Sequence, residues 1–339
     1  MSNFYILFFI LMIIFINYFI KKKNILSNYS GEIHQKFVGQ KHIPLSGGVF
    51  FLFASVFILY SEYNLFCFFL FSIFLIGFFS DTKLLSSPKL RFLLQFIFII
   101  IFIYFTKLNI EETRIYLLDI LLNNFLFNCL FVSFCLMIVI NGTNFMDGLN
   151  GLVIGYYLSI FLILINLKLF NSIPIGSEQM IYFALILFFL LILNISNQLY
   201  LGDSGAYSLG FLAGFFLISI YQNQEFISPF FIILLLWYPS FETLFSMIRK
   251  FYLKKEAMKP DNNHLHQLLF SFIKKKLKIK QNFSNNFASL IIILYNLITF
   301  IVASINIAHT YYQVIIIIFN ISIYMFVYQK LFNYKNKTS

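Results

Sequence analysis

The sequence predicts an all-α, polytopic integral membrane protein with about 10–11 transmembrane helices, in a single domain over residues 1–339. Three observations predict this class. Apolar residues make up 60% of the chain and charged residues only 11%, whereas about one quarter of the residues in soluble domains are charged. The apolar residues form long runs, and the basic residues between these runs fall almost entirely on one side of the predicted membrane.

The apolar runs give the predicted helices, because about 17–25 apolar residues cross a hydrocarbon core as a helix. The first run lacks a basic segment before it and a small-residue cleavage site, and it ends in three lysines, so we expect a retained helix rather than a signal peptide. The polar stretch 249–286 is expected to be a cytoplasmic loop of the same domain. The runs lie at 4–20, 44–61, 64–79, 90–107, 119–140, 151–170, 179–196, 205–221, 226–247, 287–307 and 311–332.

The distribution of lysine and arginine predicts the orientation, because short cytoplasmic loops carry an excess of positive charge. With the N-terminus outside, 21 of the 24 basic residues fall on the cytoplasmic side, and only Lys107, Arg114 and Lys168 fall outside. Attraction to anionic lipid headgroups explains basic loops beside apolar helices. The net charge of +11 therefore indicates membrane lipids as partners, and no nucleic acid is expected.

Four short polar segments interrupt the apolar runs on the predicted cytoplasmic side. They contain Asp81 in SDTKLLSSPKLRFLLQ, Asp147 in NGTNFMDGLNGL, Asp203 in LYLGDSGAYSLG, and the pair His264 and His266 in KPDNNHLHQLL. Carboxylates at membrane depth are costly, so they usually have a functional role. The alternative is that each acid only caps the helix that follows it. Because all the segments share one side and the acids lie among glycines, we expect one active site on the cytoplasmic face.

The residue types in these segments indicate phosphoryl chemistry assisted by a metal ion. Carboxylate oxygens are the ligands that Mg²⁺ prefers, usually together with substrate phosphates. Basic side chains offset the repulsion between two anionic reactants, and Lys41, Lys89 and Arg91 are placed to do so. His264 and His266 are two residues apart and do not share a helical face. Hydrogen bonding to phosphate or sugar is therefore favoured over a transition-metal site for this pair.

The ordered motifs resemble those of the polyprenyl-phosphate N-acetylhexosamine-1-phosphate transferase family. The motifs are PLSGGV at 44–49, SDTKLLSSPKLRFLLQ at 80–95, NGTNFMDGLNGL at 141–152, LYLGDSGAYSLG at 199–210 and PDNNHLHQLL at 260–269. The resemblance implies a bacterial inner-membrane enzyme that moves a sugar phosphate from a UDP-linked N-acetyl sugar to polyprenyl phosphate and releases UMP.

Within that family the chain is most similar to the undecaprenyl-phosphate N-acetylglucosamine-1-phosphate transferase branch. This branch starts O-antigen, enterobacterial common antigen or teichoic acid synthesis. The short spacing from Asp81 to Gln95 and the DxxHxH pattern of Asp261, His264 and His266 favour it. The muramoyl-pentapeptide branch instead carries three consecutive histidines.

The resemblance also implies residue roles, a cofactor and partners. The cofactor is Mg²⁺, with Mn²⁺ as a substitute, and the partners are polyprenyl phosphate, a UDP-N-acetyl sugar and membrane lipids, with a homodimer left open. The implied roles are Asp203 as a Mg²⁺ ligand, Asp81 as a second metal contact or the base for the acceptor phosphate, Asn144 and Asp147 as contacts of the nucleotide sugar that order the metal site, and His264 and His266 as contacts of the donor diphosphate.

Two positions depart from the family pattern. The first acid of the family's Asp-Asp pair is Ser80 here, and the last acid of its DGxDG segment is Asn150. We expect activity to be retained, because a phosphate monoester has a second pKa of about 6 and is largely dianionic without a base. The alternatives are a catalytically inactive relative and a transporter or flippase of a lipid-linked or anionic solute. Acids at one interface, without paired halves in the hydropathy pattern, disfavour a transporter.

Overall fold

A computed structural model describes residues 3–27, 43–254, 262–278 and 280–338 of the chain. Within these ranges the regular structure is helical, apart from one isolated bridge between Ser27 and Pro44 and a short 3-10 helix at Leu169–Ser172. The α-helices are α1 (Asn3–Lys22), α2 (Gly47–Leu59), α3 (Asn64–Asp81), α4 (Pro88–Thr106), α5 (Tyr116–Leu122), α6 (Phe125–Met146), α7 (Leu152–Asn166), α8 (Ser177–Ile195), α9 (Gly202–Gln222), α10 (Pro229–Leu235), α11 (Trp237–Tyr252), α12 (Leu265–Leu277), α13 (Gln281–Ser304) and α14 (Thr310–Thr338).

The predicted class, an all-α polytopic membrane protein, is confirmed. Seven of the helices in the described ranges are long and apolar enough to cross a membrane, namely α3, α4, α6, α8, α9, α13 and α14. The pair α10 and α11, bent by 75°, makes up to eight such spans. The remaining predicted runs correspond to α1, with 20 residues, and to the shorter apolar helices α2 and α7. Each of the eleven predicted runs therefore coincides with a helix or a helix pair.

At three places the helices differ from the predicted runs by more than the position of one end. The run 119–140 is divided at Asn124, whose side chain accepts a hydrogen bond from the Phe127 N–H (3.1 Å) and so starts α6. The run 226–247 breaks at Leu236, and Pro239 lies in the first turn of α11, where a missing N–H is tolerated. The predicted loop 249–286 contains α12 and the first residues of α13.

Helix α9 is the centre of the bundle and positions the site. Every residue from Ser204 to Ile220 is buried, and α9 packs against α2, α3 and α6. A helix that is covered on all sides has no lipid-facing stripe. Its first turn, at Gly202 and Asp203, therefore lies among the ends of its neighbours rather than at the edge of the molecule.

Hydrogen bonds of basic residues identify which loops lie together at each end of the bundle. At one end the Lys21 ammonium donates to Gln198 Oε1 (2.9 Å) and the Lys335 ammonium donates to the Asn262 carbonyl (2.9 Å). At the other end Arg114 donates to the Ala308 carbonyl (2.8 Å). The four polar segments lie at the first end, so the structure gathers them on one side, as the sequence predicts.

Candidate active site

Asp81 holds the beginning of α9. It is the last residue of α3, and its carboxylate accepts hydrogen bonds from the backbone N–H groups of Asp203 (2.8 Å) and Ser204 (3.1 Å). The first N–H groups of a helix have no partner within the helix, and a negative charge there is favourable. Asp81 thus caps a helix, but that helix is α9 and not the one that follows Asp81 in sequence, as the capping alternative expected.

Gly202 makes this contact possible. Its φ is +75°, and an added β-carbon would lie 2.7 Å from Asp81 Oδ2. A side chain at this position would meet both the conformational cost of a positive φ and the Asp81 carboxylate. The close approach of α3 to α9 therefore requires glycine at position 202.

Asp203 lies in the first turn of α9, and the described residues bind one of its two carboxylate oxygens. Its Oδ2 accepts hydrogen bonds from Ser80 Oγ (2.6 Å) and from Arg91 Nη1 (2.6 Å), and Arg91 also donates to Ser80. The side chains of Arg91 and Asp203 are 19% and 20% exposed, so the ion pair faces the opening of the site. Asp203 Oδ1 accepts no hydrogen bond from a described residue. Ser80, in place of the family's first acid, joins this network as a neutral group.

Asp147 lies directly after α6, against the same helix start. Burial together with the negative charges of Asp203 and Asp81 raises the pKa of Asp147 well above that of an ordinary carboxyl group, and the nearby Gly202 N–H opposes this shift. The structure thus brings together the three acids predicted from separate motifs. Among the described residues the Arg91 guanidinium contacts this cluster, through Asp203.

Asn144 lies one turn before Asp147, in a polar layer beneath the acids. Its amide donates to the Tyr207 hydroxyl (3.3 Å), and the Asn141 amide donates to Gln95 Oε1 (3.2 Å). Gln95 and Tyr207 are buried. Since α4, α6 and α9 each contribute to this layer, it fixes the helix ends that carry Arg91, Asp147 and Asp203 relative to one another.

The PLSGGV segment supports the loop that leads into α9. The Tyr200 N–H donates to the Pro44 carbonyl (2.8 Å), and the N–H groups of Gly47 and Gly48 donate to the carbonyls of Tyr200 (2.9 Å) and Leu201 (3.0 Å). Residues 44–49 therefore contribute backbone to the site. Of the two predicted lysines, Lys41 lies outside the described residues, and Lys89 is exposed and makes no ion pair with a described residue.

The histidine pair lies against the turn that contains Asp147. An added β-carbon at Gly148 would be 2.7 Å from His266 Nε2, so this turn passes close to the ring. His264 is extended (φ −75°, ψ 148°) and directly precedes α12, while His266 is within the helix. Because only one of them is helical, their rings stack, with centroids 5.6 Å apart. The two histidines share no helical face, as expected, but their rings lie side by side.

Glu242 is a candidate functional residue that the motifs did not indicate. This carboxylate on α11 is 1% exposed, and its Oε1 accepts a hydrogen bond from His264 Nδ1 (2.8 Å). The available signal was an isolated acid within the apolar run 226–247. Its partner His264 is 22 residues further along the chain, and no motif spacing joins the two residues.

Asn150, the second departure from the family pattern, has a structural role. Its side-chain amide donates to Asn197 Oδ1 (2.7 Å), and its backbone N–H donates to Asn285 Oδ1 (2.8 Å). The side chain is buried. Position 150 thus joins the ends of α8 and α13 behind the site.

Among the described residues no group of three or more His, Cys, Asp or Glu side chains is arranged to hold a metal ion by itself. Mg²⁺, the expected ion, is usually held by one or two carboxylates together with water and substrate phosphates. The oxygens suited to this role are those of Asp203 and Asp147. Both oxygens of Asp81 already accept a backbone hydrogen bond. A metal contact of Asp81 stays a prediction.

Residues 63–221, which contain the three acids, match the sequence model of glycosyl transferase family 4. Two curated relatives are similar over shorter stretches. The probable undecaprenyl-phosphate N-acetylglucosaminyl 1-phosphate transferase of Bacillus subtilis is 28% identical over 136 residues, 40% of this chain and 38% of the relative. The undecaprenyl-phosphate alpha-N-acetylglucosaminyl 1-phosphate transferase of Thermotoga maritima is 29% identical over 131 residues, 38% of this chain and 39% of the relative.

The matched stretch spans about two fifths of each relative. The family match ends at residue 221, before α10, so it covers the acids but neither Glu242 nor the histidines. Three of the five motifs lie within residues 63–221, and the family resemblance that they indicated is confirmed over that stretch.

Proposed function

We propose that this protein transfers N-acetylhexosamine-1-phosphate from a UDP-sugar to polyprenyl phosphate. The observation that carries the proposal is the cluster of Asp81, Asp147 and Asp203 around the start of α9, with Arg91 at its opening. Such a cluster suits a reaction between two anions, because repulsion must be offset by fixed positive charge and bound cation. The names of the two relatives support undecaprenyl phosphate as the acceptor and an N-acetylglucosamine donor.

In the proposed reaction an oxygen of the acceptor phosphate forms a bond to the sugar-bearing phosphorus of the donor. The bond from that phosphorus to the oxygen shared with the uridine phosphate breaks, and UMP leaves with this oxygen. The product is a polyprenyl diphosphate sugar, the first intermediate of a cell-surface polysaccharide. Since the acceptor phosphate is largely dianionic at neutral pH, this step needs little help from a base.

The chain's own residues would orient the reactants. Asp203 and Asp147 would hold Mg²⁺, which when bound supplies positive charge against the phosphates. Arg91 is the cation beside Asp203 and would contact a phosphate that enters the opening. Asn144 and the His264–His266 pair border the same turn and would contact the nucleotide sugar and its diphosphate.

An apolar cavity suits the prenyl chain. It has a volume of about 340 Å³ and lies between α6, α9, α10 and α11, with Phe131, Leu136, Ile218 and Ile233 among its lining residues. Val139, which also lines it, precedes Asp147 by eight residues, or about 12 Å along a helix. A lipid whose tail occupies this cavity would thus have its phosphate near the acids.

We place the site on the cytoplasmic face of a bacterial inner membrane. The end of the bundle that holds the acids is also the end predicted to carry 21 of the 24 basic residues, which the positive-inside rule assigns to the cytoplasm. A soluble nucleotide sugar can meet a membrane-anchored phosphate at that surface. The proposed enzyme therefore works at the inner interface.

A direct assay tests this function. Purified full-length protein in lipid–detergent micelles is incubated with undecaprenyl phosphate, Mg²⁺ and, in separate reactions, a panel of UDP-sugars, and UMP and the lipid product are measured. The expected result is UMP release with one N-acetyl sugar that requires both the lipid phosphate and Mg²⁺. Absence of UMP with every sugar, or release that does not depend on the lipid phosphate, would overturn the proposal.

A further inference from the structure

Glu242 is a buried carboxylate that accepts hydrogen bonds from the segment of the histidine pair and from α14. Its Oε1 accepts from His264 Nδ1 (2.8 Å) and from the Leu265 N–H (3.4 Å), and its Oε2 accepts from the Tyr324 hydroxyl (2.7 Å). A carboxylate buried in a membrane protein is costly unless it is compensated in this way. Both of its oxygens are thus used within this network.

The backbone that carries His264 is held by the neighbouring side chains as well. Arg249, two turns after Glu242 on α11, donates to the Asn263 carbonyl. The Lys335 ammonium on α14 donates to the Asn262 carbonyl (2.9 Å) and to Asn263 Oδ1 (2.7 Å). Cations therefore bind the carbonyl groups just before His264, while Glu242 binds the ring N–H of His264 and the backbone N–H of Leu265.

Helix α14 forms a second layer behind these contacts. Tyr324 and Tyr328 are four residues apart and share one face of the helix, with their rings stacked at 6.1 Å. The Tyr324 hydroxyl donates to Glu242, and the Tyr328 hydroxyl accepts from Arg249 (2.7 Å). The position of the His264 ring is thus set by α11 directly and by α14 through α11.

We propose that Glu242 is a positioning residue that sets the ring orientation of His264 for the transfer reaction. Because Nδ1 of His264 is bound to Glu242, a contact of this histidine with substrate must use Nε2, and the two ring nitrogens are not equivalent. The stacked His266 then keeps its place beside Gly148, next to Asp147. The inference rests on the proposed function and adds to it a residue that touches no substrate.

A double-mutant cycle tests the proposal. Glu242→Gln, His264→Ala and the double variant are compared with the unaltered protein in UMP release, with kcat/KM measured for UDP-N-acetylglucosamine. Loss of a carboxylate that orients a functional histidine costs about 10- to 100-fold, so each single variant should fall by at least about 10-fold. If Glu242 acts through His264, the double variant should match His264→Ala within about a factor of two.

Control variants separate positioning from folding. Tyr324→Phe should lower kcat/KM by a smaller factor and have no further effect in the Glu242→Gln background. Tyr312→Phe also loses a tyrosine hydrogen bond on α14, to the Val302 carbonyl (2.7 Å), but at the other end of the helix. It should leave kcat/KM unchanged. If Glu242→Gln fails to fold, Tyr324→Phe replaces it in the cycle with His264→Ala.

The outcomes distinguish the two proposals. An active unaltered protein in which the Glu242 and His264 effects multiply would overturn the positioning role alone. An equal fall with Tyr312→Phe and Tyr324→Phe would do the same, since it would indicate general loss of structure. An unaltered protein without UMP release would overturn the proposed function and with it this inference.

Discussion

Ser80 and Asp81 are adjacent in the chain, but they contact different parts of α9. Asp81 binds the backbone N–H groups of the helix start, whereas Ser80 binds the Asp203 side chain and Arg91. The motif alone predicted that Asp81 belongs to the site. It could not predict the division of roles, because Asp203 is 123 residues away from Ser80.

Variants at position 80 are expected to be mild. Ser80→Ala removes one hydrogen bond to Asp203, so UMP release should fall by less than about 10-fold, in line with the roughly 1 kcal/mol that a hydrogen bond contributes. Ser80→Asp restores the family's pair of acids beside Arg91 and should be active at a lower Mg²⁺ concentration. UMP release measured across a Mg²⁺ titration checks both. An inactive Ser80→Asp variant would contradict this account of the position.

Asp147 is expected to lower the stability of the metal-free protein as the pH rises. Its raised pKa means that the folded state holds the proton more tightly than the unfolded state. This stabilisation is complete below the ordinary carboxyl pKa of about 4 and is lost as the pH rises through the higher folded-state value. Asp147→Asn should therefore unfold at a higher temperature than the unaltered protein in EDTA, by a margin that grows from pH 5 to pH 8.

The measurement is thermal unfolding in detergent at several pH values. Asp119→Asn is the matched control, because Asp119 accepts from the Thr113 N–H (2.6 Å) at the opposite end of the bundle. It should not stabilise the protein at any pH. An Asp147→Asn variant that is no more stable than the unaltered protein at pH 8 would contradict the assigned environment.

The start of α9 shows how far a helix boundary can be predicted from sequence. The apolar run predicted a helix from about residue 205, whereas α9 begins at Gly202. The additional turn is stabilised by the Asp81 carboxylate, which comes from another helix. A sequence pattern reports local apolar periodicity but not a cap supplied by a distant residue. For the same reason the isolated Glu242 on α11 gave no sign of its contact with His264.

Gly202→Ala tests this junction. The positive φ and the contact with Asp81 Oδ2 together should destabilise the protein by about 1–3 kcal/mol and lower UMP release, since Asp203 is the next residue. Gly176→Ala is the matched control, because Gly176 is also a glycine at a helix start but has a φ of −64°. Thermal unfolding and UMP release are measured on both. Equal behaviour of the two variants would show that the α3–α9 contact tolerates a side chain.

The architecture of the whole molecule was predicted better than its details, because long apolar runs and the charge bias are properties of many residues together. All eleven runs are helical, and the four polar segments meet at one end. What the runs could not predict was the 75° bend between α10 and α11. A hydropathy pattern reports where apolar residues lie along the chain, but not the direction that the helix takes at Leu236.

The orientation of the bundle is tested by cysteine labelling in intact cells. Single cysteines are introduced at the exposed residues Ser196 and Asn262, at the site end, and at Asn171, at the other end. A membrane-impermeant maleimide should label Asn171→Cys in whole cells, and Ser196→Cys and Asn262→Cys only after permeabilisation. The protein without an added cysteine is the control. Labelling of Ser196→Cys in intact cells would contradict a cytoplasmic site.

The most direct test of the central claim is the Mg²⁺ dependence of UMP release in Asp203→Asn, compared with Asp119→Asn and the unaltered protein. Asp203→Asn keeps the shape of the side chain and removes its charge, so we expect a loss of about 10²-fold or more that added Mg²⁺ does not restore. Asp119→Asn should keep the activity of the unaltered protein. Near-normal turnover of Asp203→Asn would contradict the assignment of the acid cluster at the start of α9 as the reaction site.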